Sequence, residues 1–266
     1  MRHPLVMAAW ILTALVLCAL APAGASAQGQ LPEPPVGFKP PPPPPPKPYQ
    51  PVAVTPPTPF NDPSFVAFRK QLGDAAQHKD RAALAKLIVT KDFFWVQDKD
   101  LADSSKSGID NLAKAIGLDN PDGSGWEIIA NAASDPTLAE LPQDKGVFCA
   151  PAPPTLDPQA FAKLVQDSGT DPAEWGYPTQ SGIEVRAGAQ PNAPVVEKLG
   201  MYLVRVMPES APADNNAPPS LRIALPDAKT GYVPLDAISP LAGDEICYAK
   251  EANTWKIAGY VGGVPQ

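Results

Sequence analysis

The chain has 266 residues, 44% of them hydrophobic and 18% charged, and 37 are proline. Acidic side chains outnumber basic ones by 28 to 21, giving a formal net charge of −7, with Arg69-Lys70 as the one adjacent basic pair. That balance argues against a nucleic-acid partner, which calls for a basic patch or stripe. Proline at about 14% is near three times its usual ~5% share, so the excess must be concentrated if the rest is to fold.

At the start, Arg2 and His3 precede an apolar run from Leu5 to Leu20, and Ala25-Ser26-Ala27 forms a small-x-small step before Gln28. This three-part pattern reads as a secretory signal peptide over residues 1–27. A retained membrane anchor is the alternative, since the run reaches the short end of a spanning length. The expected location is the periplasm or the exterior of a bacterial cell, with no stable membrane span after cleavage. Cleavage removes one cation and takes the formal net charge to −8. It also removes Cys18 and leaves Cys149 and Cys247. An even count in an oxidising compartment suggests one disulfide, with two reduced buried thiols as the alternative.

Between Leu31 and Pro63, 16 of 33 residues are proline, seven of them consecutive from Pro40 to Pro46. Fixed φ and missing amide donors favour an extended, solvated polyproline II path. Residues 28–61 are therefore expected to be a disordered proline-rich spacer, or alternatively a docking strip for a proline-binding domain.

Asp62-Pro63 signals a helix start, and Phe65, Phe68, Leu72 and Ala75-Ala76 follow at helical spacing. Asp80 caps a second expected helix carrying Leu84, Leu87 and Ile88. Phe93 to Val96 reads as a strand or buried turn. Ser107 and Gly117 bracket a third helix, Trp126 to Ala133 a fourth, and Asp157 to Gln166 a fifth. Residues 62–175 thus read as a mainly helical domain.

Beyond Gly176 the chain changes to short Val-, Ile- and Tyr-containing runs punctuated by Gly, Pro and Asn, the pattern of a compact β-barrel. The stretches IEVRAGAQPNAPVVEKLG and LRIALPDAKTGYVPLDAISPL, within residues 181–240, resemble a bacterial SH3-like (SH3b) domain. That family's V-x-V-R opening, P-V-V-x-x-L run and closing hairpin come here in the same order. Ser220 stands where the family usually has a tryptophan, and Ala228 replaces the usual turn glycine. The downstream CYAKEANTWKIAGYVGG and the step Phe148-Cys149-Ala150-Pro151 are similar to exported SH3b proteins with a helical N-terminal unit. The resemblance supports pairing Cys149 with Cys247 and offers Tyr202 and Tyr232 as ligand-facing aromatics. The expected fold is α+β. A signal peptide and a proline-rich segment precede a helical domain, and an SH3b-like β-barrel with a C-terminal β tail occupies residues 176–266.

Catalytic signatures are missing. The mature chain holds one histidine, His78, flanked by Gln77 and Lys79, and no CxxC or HExxH spacing occurs. Asp119-Asn120-Pro121-Asp122-Gly123 has calcium-like residues, but position 12 of that run is Ala130 rather than glutamate. The sequence therefore points to no catalytic residue, metal or cofactor. It points to a non-catalytic exported protein that binds cell-wall peptide or an envelope protein. A structural adaptor acting through the polyproline spacer is one alternative, and a hydrolase using the carboxylates between Asp98 and Asp122 is the other.

Overall fold

The computed structural model describes residues 45–97, 99–208 and 219–262. The expected signal peptide, the first part of the spacer, Asp98 and most of the Pro208–Ser220 loop lie outside them. In chain order the elements are β1 (Val54–Thr55), α1 (Pro63–Gln77), α2 (Arg81–Lys86), β2 (Phe94–Val96), α3 (Gly108–Ile116) and α4 (Ser124–Ser134). Then come β3 (Ala139–Glu140), β4 (Val147–Ala150), β5 (Thr155–Leu156), α5 (Pro158–Ser168), β6 (Trp175–Pro178), β7 (Glu184–Arg186) and β8 (Val195–Lys198). The last are β9 (Val204–Met207), β10 (Ser220–Ala224), β11 (Thr230–Pro234), β12 (Ile238–Pro240), β13 (Glu245–Glu251) and β14 (Thr254–Val261).

All five expected helices form, and their ends follow local chemistry. Asp62 Oδ1 accepts from the Ser64 and Phe65 amides at the start of α1. The Ser64 hydrogen bonds hold its carboxyl down at about 2. Asp80, Ser107 and Asp157 cap α2, α3 and α5 in the same way, and Gly117 and Gly169 end α3 and α5 in the left-handed region.

Three mostly antiparallel sheets accompany the helices. A two-stranded ribbon joins β1 to β5, a seven-stranded sheet runs β12-β6-β9-β10-β11-β7-β8, and a five-stranded sheet runs β2-β14-β13-β4-β3. The helical stretch therefore carries sheet of its own. The tail expected to accompany the second unit, the β13–β14 hairpin, pairs instead with β4 and β2 of the first. Its apolar face explains the placement. Tyr248, Trp255 and Ile257 are buried against Phe65 and Phe68 of α1, with Phe65 lying 5.2 Å from Tyr248 and 5.1 Å from Trp255 ring to ring. The hairpin alone would leave these aromatics in water.

The spacer also ends sooner than expected. Residues 49–60 form an ordered strap over the folded body. The Tyr49 amide donates to Pro226 O, Val54 N–H to Met201 O, Leu203 N–H to Val52 O, and Phe60 N–H to Pro136 O. Val52 and Val54 are buried in a third core cluster with Leu164, Trp175, Tyr177 and Leu203. Tyr49-Gln50 and Val52-Ala53-Val54-Thr55 between the prolines left enough amides and side chains here for docking, which the seven-proline run does not offer.

One contact in this frame yields a test. A Cβ at Gly125, in the first turn of α4, would lie 2.5 Å from Leu118 Cα and 2.6 Å from Leu118 N. In an open helix, glycine to alanine stabilises by up to ~1 kcal/mol. Here backbone stands in the way and cannot rotate aside, so Gly125→Ala is expected to destabilise by about 1–3 kcal/mol. Urea unfolding at constant m-value reads the sign.

Candidate ligand cleft

A cavity of about 490 Å³ opens where the three sheets and the strap meet, a size suited to a small ligand or a short peptide segment. Its wall takes Pro56 and Pro57 from the strap and Asp135, Pro136 and Thr137 from the end of α4. Pro151, Pro153 and Pro154 follow β4, and Tyr177 and Thr179 come from the end of β6. Ser239 and Pro240 of β12 and Glu245 of β13 line it too, as do Ala152, Leu241 and Gly243. The proline clusters that punctuate the sequence thus converge on one place.

The wall is poor in hydrogen-bond donors for two reasons. The seven prolines among its described residues have no N–H. Several remaining amides are already engaged. Thr137 N–H donates to Asp135 Oδ1, Ala152 N–H to Thr137 Oγ1, Thr179 N–H to Ala237 O and Leu241 N–H to Trp175 O. The Thr137 hydroxyl donates to Asp135 as well. Tyr177 hydrogen-bonds Ser239, and burial pushes its phenol above the ordinary range.

Acceptors and negative charge remain. Asp135 and Glu245 line the cavity, and among the described residues no Lys, Arg or His does. Glu245 is half-buried and has no hydrogen-bonding or ionic partner among the described residues. Burial alone raises its pKa. A neighbouring cavity of about 220 Å³ shares Asp135 and Pro151 and adds Asp244 and Tyr260. Burial, then the hydrogen bond to Asp244, pushes the Tyr260 phenol far up.

Directly behind Glu245 lies the cysteine pair. Cys149 of β4 and Cys247 of β13 sit opposite each other in the antiparallel ladder and are joined by a disulfide across 98 residues of sequence. Both are buried.

The other residues singled out from sequence lie elsewhere. Tyr202 sits under the strap, bridged to Ala53, and its hydroxyl donates to Glu197. Burial and the Glu197 charge push it up to about 12. Tyr232 lies half-buried on β11, paired across the ladder with Arg186 and Arg222. Neither lines the 490 Å³ cavity, whose aromatic is Tyr177. His78 is exposed on the end of α1 with Nδ1 at 2.8 Å from Asp74 O. The carboxylates considered for hydrolysis serve the local backbone. Asp100 accepts from the Trp95 and Ala102 amides, Asp103 from Ser105 and Asp122 from Ser124, while Asp119 pairs with Arg81. Tyr177 had only its neighbour Pro178 as a sequence signal, and Glu245 had none.

No protein-family model matches the chain, and no curated protein matches it.

Proposed function

We propose that this is a non-catalytic binding protein of the bacterial envelope, built around an SH3b-like second unit, which takes an amine-bearing peptide segment in the 490 Å³ cleft. The observation that carries the reading is the mismatch in the cleft's own polar groups. It offers acceptors and two carboxylates, one of them unpartnered, and few free donors. An occupant that brings N–H donors and positive charge satisfies such a wall, and a peptide ammonium does both. Proline and tyrosine surfaces then cover the apolar part of the segment.

Export fits the rest of the chain. The disulfide suits an oxidising, extracytoplasmic location, and among the described residues no helix is long and apolar enough to cross a membrane. Cell-wall peptide and a protein partner both present peptide amines, so either supplies the chemistry.

The test is isothermal titration of the oxidised protein with a short lysine-containing peptide and with the same peptide acetylated on its amine. The lysine form is expected to bind, acetylation to abolish binding, and Glu245→Gln to weaken it about tenfold. Equal binding of the two peptides, or binding by neither, would sink the reading. A pull-down on insoluble cell wall then separates wall peptide from protein as the natural source.

A further inference from the structure

The residues behind the cleft carry a second, independent chemistry. Glu245 precedes Cys247 by two positions on β13, which places both side chains on one face of the strand. Cys149 is directly opposite Cys247 on β4, with their Cα atoms 4.0 Å apart. A carboxylate oxygen of Glu245 and the two sulfurs all lie within 4.8 Å of one another. The two sulfurs are bonded to each other in this state, so a zinc ion at ~2.3 Å from each thiolate and ~2.0–2.2 Å from the carboxylate requires them to part by side-chain rotation after reduction. The opposite face of the sheet is occupied by Ile246, Tyr248 and Ala150 of the main core, so the ligand set is confined to the cleft side. Glu245 itself lines the cavity, which gives an ion a route in and a fourth position open to water.

We propose that Cys149, Cys247 and Glu245 form a redox-gated site for a thiophilic divalent cation of the zinc type, closed as the disulfide and opened by reduction. A dithiol reductant supplies two electrons and two protons. The S–S bond breaks to two thiols while the reductant becomes a disulfide. The incoming M²⁺ then replaces the two thiol protons, so two Cys thiolates and one carboxylate bind it and two protons leave to solvent. This goes beyond the peptide-binding reading and does not depend on it, because that binding is measured on the oxidised chain and metal binding on the reduced one.

The test uses the whole chain, reduced by a dithiol, freed of reductant without oxygen, and titrated with Co²⁺ and then Zn²⁺. The reduced protein is expected to take up one Co²⁺ per chain with a sulfur-to-cobalt charge-transfer band that Zn²⁺ abolishes. The disulfide form should show no band, and Cys247→Ser should lose it. Glu245→Ala should keep the band but weaken affinity at least tenfold. Helical circular dichroism is followed alongside, so that unfolding on reduction does not hide the answer. If reduction unfolds the chain, Zn²⁺ is expected to restore the signal in the parent and not in Cys247→Ser. A folded reduced chain without the band, an unfolded one that Zn²⁺ does not restore, or a Glu245→Ala affinity equal to the parent's would overturn the proposal.

Discussion

Replacing Cys149 and Cys247 together by alanine is expected to cost about 3–5 kcal/mol of stability under oxidising conditions. The bridge spans 98 residues of sequence, and that span contains all of the seven-stranded sheet. In the unfolded chain the disulfide holds the two ends of this excursion together. Its removal releases the loop-closure entropy of a segment about a hundred residues long. The folded state loses little else, since β4 and β13 remain paired from Val147 to Ala150 and from Ile246 to Ala249. Guanidinium unfolding of the parent and the double variant, each oxidised, measures the difference. A change under about 1 kcal/mol would mean that the unfolded state is already compact enough to make the link redundant. The effect falls inside the five-stranded sheet, two residues from Glu245 of the cleft wall.

Tyr49→Ala is expected to cost about 2–4 kcal/mol, somewhat less than removal of a fully buried aromatic ring, because Tyr49 is partly buried. The ring meets Trp175 edge-on at 5.0 Å between centroids, in the cluster that also holds Val52, Val54 and Leu203. Its hydroxyl lies 3.1 Å from both Leu203 O and Ala224 O and shares one proton between them. Tyr49→Phe separates the contributions. It keeps the ring and leaves the carbonyls short of a donor, for an expected loss of about 1–2 kcal/mol. Thermal or urea unfolding reads both variants. A neutral Tyr49→Ala would return residues 45–61 to the role of free spacer. Because the strap supplies Pro56 and Pro57 to the cleft wall, loss of Tyr49 should also weaken ligand binding beyond its effect on stability.

Local chemistry was legible along most of the chain. The caps Asp62, Asp80, Ser107 and Asp157, and the stops Gly117 and Gly169, mark helix ends within a turn because the signals act on neighbouring amides and carbonyls. The same holds for the strands from Glu184 to Pro234, where alternation and turn residues are read over a few positions. With Cys18 assigned to the expected signal peptide, the two remaining cysteines suggested one bridge, and the structure joins them.

What lay beyond reach depended on distance along the chain. The β13–β14 hairpin carries apolar residues that either unit could have buried, and only the complementary aromatics of α1, nearly two hundred residues earlier, decide which one does. The strap looked like spacer because composition records its prolines and not the partners that Tyr49, Val52 and Val54 find on the far side of the fold. The cleft is the extreme case. Pro56, Pro136 and Pro151 are ordinary loop residues until the sheets bring them together with Pro240 of β12, and Glu245 is one surface acid among many until its neighbours withhold a partner. The sequence by itself thus determined where the helices and the strands from Glu184 to Pro234 lie, and it suggested which cysteines could be joined. Only tertiary structure decided which surfaces close over each other, because burial and the loss of hydrogen-bonding partners are properties of the packed chain.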